Sequence, residues 1–161
     1  MLNITTGDLF ESNSQTIVNT VNCVGAMGKG IALEYKKRYP QMYLRYRELC
    51  NKNLIKIGQL WIYKTDDKWI LNFPTKKDWR NPSKIEYIEL GLQKFVQEYE
   101  NKGITSIAFP LLGANNGGID PGVSLEIMCK YLEGCKIPVT IYDNQNKKNA
   151  IGNQIKKTDN L

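Results

Sequence analysis

The chain of 161 residues contains no histidine. That absence removes the commonest general base near neutral pH and the commonest metal ligand. Ser-His-Asp and Cys-His schemes are excluded with it. Acid–base or nucleophilic work must fall to Asp, Glu, Lys, Cys, Tyr or water. Cysteine is scarce and scattered: Cys23, Cys50, Cys129 and Cys135 form no C-x-x-C pair and no regular framework. This spacing argues against a thiolate metal site, and we expect four free thiols in a reducing cytoplasm, with no metal and no cofactor. No apolar run approaches the roughly 20 residues that span a bilayer. The opening MLNITTGDLFES lacks the basic-then-apolar pattern of a secretory leader. Acidic residues are outnumbered, 16 Asp and Glu against 22 Lys and Arg, for a net charge of +6. Such an excess favours a polyanionic partner but is modest. Half of it sits in the last 18 residues, and residues 76–84 carry as much again.

What is present suffices for one domain. At 42% hydrophobic residues, a chain of this length buries a core without staples. Residues 16–21 (TIVNTV) are rich in β-branched side chains and read as a buried strand. Residues 2–5, 105–109 and 139–143 are further strand candidates, and 57–64 with 69–73 read as a hairpin around Asp66-Asp67. A helix over 31–39 must stop at Pro40. A second restarts there, with Met42, Tyr46, Leu49 and Cys50 at helical spacing. Ser83 and Glu86 match a capping box ahead of a helix carrying Ile85, Ile88, Leu92, Phe95, Val96 and Tyr99, which Gly103 ends. A short helix follows at 123–132. From Asn144 onward the chain is Asn, Gln and Lys, and we expect residues 144–161 to be a flexible tail after a domain of residues 1–143. Alternating strands and helices predict an α/β layered fold with a largely parallel sheet.

Two glycine-rich loops each follow a strand and precede a helix. The first is NCVGAMGKG (22–30) and the second GANNGG (113–118). Glycine lets backbone N–H groups approach a ligand closely, and a helix start favours phosphate. Two such loops facing one crevice would clamp a diphosphate. Neither has Walker A spacing, and neither matches G-x-G-x-x-G. Each is also compatible with an ordinary tight turn.

Together, Gly7-Asp8-Leu9, the run VNTVNCVGAMGKGIA, the segment NFPTKKDWR and the loop PLLGANNGGID resemble the macrodomains, α/β/α modules that bind ADP-ribose. The likeness covers roughly residues 1–143. It is strongest to the DarG-type branch, whose members remove ADP-ribose that DarT-type toxins attach to thymidine in single-stranded DNA. The resemblance implies a three-layer α/β/α fold with a mixed, largely parallel sheet. It implies that Asp8, with Leu9 beside it, receives the adenine amino group, and that Asn22 contacts the distal ribose and takes part in catalysis. Gly28, Lys29, Gly30 and Ile31 would form one diphosphate loop. Gly113, Ala114, Asn115, Asn116, Gly117, Gly118 and Ile119 would form the other. Tyr142 would pack on adenine, or simply cover the core. Lys76 and Asp120 match residues implicated in catalysis in this branch.

A glycosidic bond breaks through an oxocarbenium-like transition state. Without histidine, Lys76 and Asp120 are the natural candidates. A neutral Lys76 amine would attack the anomeric carbon, which requires a lowered pKa. Lys77 and Arg80 are near enough in sequence to lower it. A charged Lys76 would instead assist the leaving base. Asp120 would activate water, although Asp-Pro is also a common helix start. Lys77, Trp79, Arg80 and Lys84 interleave cations with an aromatic, a pattern of single-strand binding or of a solvated face. Two departures from the branch stand out: Asn115 replaces a glycine, and Asp78 stands where a histidine is common. DarG-type antitoxins also carry a C-terminal toxin-binding domain that this chain lacks, so it reads as a fragment with a DarT-type toxin as partner or as a stand-alone enzyme. We expect a cytoplasmic monomer acting on ADP-ribosylated DNA. The alternatives are a hydrolase of protein- or metabolite-linked ADP-ribose and a non-catalytic reader.

Overall fold

In the computed structural model, which describes residues 1–146, the strands are β1 (Leu2–Thr5), β2 (Thr16–Asn22), β3 (Trp61–Lys64), β4 (Trp69–Lys76), β5 (Ile107–Pro110) and β6 (Val139–Tyr142). They form one six-stranded sheet in the order β1-β6-β5-β2-β4-β3. All pairings are parallel except the edge pair β3–β4. The helices are α1 (Gly30–Arg38), α2 (Pro40–Asn51), α3 (Ile85–Glu98) and α4 (Pro121–Leu132).

Central strands read as continuous apolar runs because both faces are covered. Successive side chains point to opposite faces. Val18, Leu71 and Phe109 therefore join a core with Ile88, Leu92 and Leu132 of α3 and α4. Their chain neighbours Ile17, Ile70 and Ala108 join a second core with Tyr35, Met42 and Tyr46 of α1 and α2. Two cores on one sheet make the three layers. Within the second core, Asn19 and Asn72 are register partners, and the Asn19 amide donates to Asn72 at 3.1 Å. A buried polar pair of this kind favours one strand register over its neighbours, because a slip would strand both amides.

Local differences from the sequence reading have physical reasons. The capping box does not form: Lys84 is the N-cap of α3, with no side-chain cap bond. Ser83 is buried and its backbone N–H donates to Gly117 O at 2.8 Å, so it serves the second loop rather than the helix. On α3 the buried face carries Tyr87 and Gly91 beside Ile88, Leu92 and Phe95, while Ile85 and Val96 are exposed. The first hairpin strand begins only at Trp61. Helix α4 starts two residues early because Asp120 caps it and Pro121 occupies its first position. At the far end, the Asn144 side chain accepts from Gly7 N at 2.8 Å and donates to Gly7 O at 3.0 Å. Asn144 thus ties the end of the described chain back to Gly7, and the rest of the expected tail, 147–161, lies outside the described residues.

Parallel pairing sends the carboxyl ends of β1, β2, β4, β5 and β6 to one edge of the sheet. Ligands of open α/β sheets bind at that edge.

Candidate functional site

A cleft of about 560 Å³ opens over the ends of β2, β4 and β5. The two glycine-rich loops wall it, and Trp79, 55% exposed, stands on its rim.

Asn22, the last residue of β2, builds the first loop. Its side-chain oxygen accepts from the backbone N–H of Val24 at 3.0 Å, Gly25 at 3.1 Å and Ala26 at 3.3 Å. Its amide returns a bond to Ala26 O at 2.8 Å. Tyr46, fully buried on α2, donates its hydroxyl to Asn22 O at 2.6 Å and reaches Asn22 Oδ1 at 2.9 Å. Burial holds the Tyr46 hydroxyl well above the usual phenol range, so it stays a donor.

The second loop is held from inside. Ile119 N–H donates to Gly113 O at 3.0 Å, and the Ser124 hydroxyl donates to Leu112 O at 2.7 Å. Gly117 is compelled by space: a Cβ there would lie 2.3 Å from Gly113 O and 2.5 Å from Ser83 Oγ. The loops meet where a Cβ on Gly30, at φ +56°, would come within 2.9 Å of the Asn116 amide nitrogen.

Lys76 ends β4 between these loops. Its ammonium donates to Asn116 O at 2.6 Å and lies 3.4 Å from Trp79 O. Partial burial, and secondarily the positive charge of Lys29, lower its pKa from the ordinary lysine value. The neighbouring cation is therefore Lys29 of the first loop, and not Lys77 or Arg80. Arg80 is committed to Asp78 at 2.6 Å, and their hydrogen bonds pull the Asp78 carboxyl down to about 2.

A second cleft of about 290 Å³ adjoins the first and shares Ile31, Pro110, Leu111 and Asn115 with it. Asp8, Leu9 and Tyr142 line it, with Asn144 and Gln145. Asp8 accepts from Phe10 N at 2.9 Å, which pins the turn that presents its carboxylate. Gln145 also donates to the Asn115 side chain, so the segment after β6 touches the second loop.

The larger cleft thus collects Asn22, Gly28, Lys29, Ile31, Lys76, Trp79 and residues 113–117. The smaller collects Asp8, Leu9 and Tyr142. Gly30, Gly118, Ile119, Lys77, Arg80 and Lys84 line neither. Asp120 also lines neither, and its carboxylate accepts from Val123 N at 3.1 Å as the α4 cap. Sequence reasoning missed Tyr46, Asn144, the loop role of Ser83, and Thr75 of β4, which lines the larger cleft. Tyr46 carried only a core signal, Asn144 sat in a stretch read as tail, and Ser83 was read as a cap. Among the described residues no group of three or more His, Cys, Asp or Glu is placed to hold a metal ion, and no helix is long and apolar enough to cross a membrane.

The two joined clefts suit an elongated ligand with a polyanionic centre. Backbone-rich loops face each other there, Lys29 and Lys76 supply positive charge, and a carboxylate waits at the far end.

The model of the Macro domain family matches residues 18–128. A DNA ADP-ribosyl glycohydrolase of Mycobacterium tuberculosis is 45% identical over 124 residues, 74% of this chain and 35% of that protein. The solved structure of the macrodomain of Mycobacterium tuberculosis DarG superposes with a TM-score of 0.86 at 39% identity, over 90% of this chain and 99% of that one. Thermosipho africanus DarTG in complex with ADP-ribose superposes with a TM-score of 0.84 at 38% identity, over 88% of this chain and 41% of that one. The chain spans 35–41% of the length of the curated DNA ADP-ribosyl glycohydrolase relatives it matches.

Proposed function

The chain belongs to the macrodomain family, and on that premise we propose that it hydrolyses the bond joining ADP-ribose to thymidine in single-stranded DNA, in the cytoplasm, reversing a DarT-type toxin. Adenine occupies the smaller cleft against Tyr142 with its amino group on Asp8. The diphosphate lies between the two loops. The distal ribose reaches Asn22 and Lys76, and its base passes out beside Trp79.

One observation carries the catalytic assignment. Among the described residues lining the larger cleft, the titratable side chains are Lys29 and Lys76, with no carboxylate. Water activation by an acidic side chain therefore has no candidate inside it. The acid–base work falls to Lys76, which sits closer to the strand ends than the loop residue Lys29. As the glycosidic bond lengthens, its electron pair moves to the departing base and positive charge grows at the anomeric carbon. In the charged form, Lys76 donates a hydrogen bond to the leaving base, and water then takes its place at the carbon. In the neutral form, the amine attacks the same carbon and water later releases the sugar. The lowered pKa of Lys76 brings the neutral form closer to working pH. Asn22 keeps the first loop folded against the ribose. Asp120 serves as a helix cap and acts at most from outside the cleft.

The test is incubation with an ADP-ribosylated single-stranded oligonucleotide and, in parallel, an ADP-ribosylated protein. Release from DNA that disappears in Lys76→Ala, while ADP-ribose still raises the melting temperature of both forms, is the expected result. Release from protein alone would move the substrate class. Binding without release would make the chain a reader. The absence of any thermal shift at millimolar ADP-ribose would sink the ligand assignment itself.

A further inference from the structure

We propose that a cationic track crosses the first loop and grips a single DNA strand on both sides of the modified nucleotide. Its new arm is Lys36, Tyr43 and Arg47 on α1 and α2. This rests on the reading above, in which the ligand is a nucleotide within a strand. Two aromatic rings each gather two cations. Lys77 Nζ and Lys84 Nζ lie 5.6 and 5.8 Å from the Tyr87 ring centre. Lys36 Nζ and the Arg47 guanidinium lie 4.4 and 5.9 Å from the Tyr43 ring centre.

The first loop joins the two stations. Cys23 N–H donates to Lys77 O at 3.1 Å. Two residues on, the Arg47 stem lies 3.6 Å from where a Cβ on Gly25 would be. The residue between them is Val24, an apolar side chain 49% exposed. The same loop walls the cleft with Ala26, Gly28 and Lys29. Among the described residues none of the four cations is in an ion pair, whereas the carboxylates on α1 and α2 are occupied: Glu34 by Arg38 and Glu48 by Arg45. Asp78 is likewise taken by Arg80. Glu86, in the first turn of α3, is the carboxylate beside Lys84 in sequence that is in no ion pair among the described residues; against it the four cations leave the track a net positive charge along the path proposed for the phosphate backbone. A base must leave its stack to reach the cleft, and Trp79 on the rim offers it a ring. Cations along a backbone with exposed apolar and aromatic groups between them suit a single strand rather than a duplex.

Each phosphate contact with a single strand adds about 0.7 to the slope of log affinity against log salt. Fluorescence anisotropy with an unmodified 15-nucleotide single strand measures that slope independently of any ADP-ribose chemistry. In Lys36→Gln/Arg47→Gln the slope should shrink by about 1.4, with affinity at 0.1 M salt falling by up to roughly 25-fold. The KM for the ADP-ribosylated oligonucleotide should rise several-fold with kcat unchanged, and ADP-ribose should still raise the melting temperature. Lys130→Gln on α4, which removes a cation from beside the Tyr131 ring, should leave the slope alone. An unchanged slope in the double variant, an equal loss in Lys130→Gln, or duplex bound as tightly as single strand would each overturn the track. A slope change without any release of ADP-ribose from DNA would support the track and overturn the glycohydrolase reading instead.

Discussion

Replacing Asn22 separates two roles for one side chain. Its position on the cleft wall suggests contact with the distal ribose, but its hydrogen bonds go to its own loop. Asn22→Ala removes one oxygen shared by three backbone N–H groups and the Tyr46 hydroxyl, and one amide bond to Ala26. At about 1 kcal/mol net per bond, and with the loop donors partly able to turn to water, the loss is about 2–3 kcal/mol. For a domain of this size that corresponds to a melting temperature lower by roughly 4–12 °C. The loop must then be reordered when ligand binds. Two residues' worth of backbone entropy, about 2 kcal/mol, weakens ADP-ribose binding roughly 30-fold. Tyr46→Phe provides the control because Tyr46 does not line the cleft. It removes one donor, costs about 1 kcal/mol, lowers the melting temperature by roughly 2–4 °C and weakens binding about threefold. Differential scanning calorimetry gives the first quantity and titration calorimetry the second. If Asn22→Ala melts like the parent and Tyr46→Phe binds like it, while Asn22→Ala has lost turnover, then Asn22 acts on substrate alone and the loop argument is wrong.

Three further outcomes follow from the same geometry. In Lys29→Ala, the lesser of the two causes lowering the Lys76 pKa is gone; the ammonium becomes easier to keep, and the Lys76 limb of the pH–rate profile should move to higher pH. Should the neutral amine be the acting form, the rate at pH 8 falls; should the ammonium act, the descending limb moves up, and a profile that stays put refutes the coupling. Gly117→Ala drives a methyl into Gly113 O and Ser83 Oγ, so the second loop must shift at a cost of about 1–3 kcal/mol, and the Kd for ADP-ribose should rise at least about tenfold by calorimetry. Asn144→Ala removes both bonds that hold Gly7 beside Asp8; Kd should rise about fivefold to tenfold with kcat unchanged, and a loss of kcat alone would contradict a role at the adenine end.

How legible the site was depended on how far apart its partners lie in the chain. The layered fold could be read because β-branched runs and helical spacing are local patterns, and both glycine loops announced themselves by composition. Tyr46 and Asn22 are 24 residues apart, and Lys76 and Asn116 are 40 apart; no spacing rule links either pair, since only the sheet order brings β4 beside β2 and the second loop over both. Ser83 was misread for a related reason. A serine three residues before a glutamate is a capping signal only if nothing else competes for it, and here the Ser83 N–H is taken by Gly117 O while its buried hydroxyl makes no bond to the helix start. Asp-Pro at a helix start and a carboxylate poised at a reaction centre are the same two letters, and the 3.1 Å bond from Val123 N–H shows that Asp120 fills the capping role. On the proposal that Lys76 alone carries the proton or electron-pair transfer, the rate should titrate as one group. A bell-shaped profile with a carboxylate limb, abolished by Asp120→Asn, would show that the helix cap is traded for catalysis once substrate is bound.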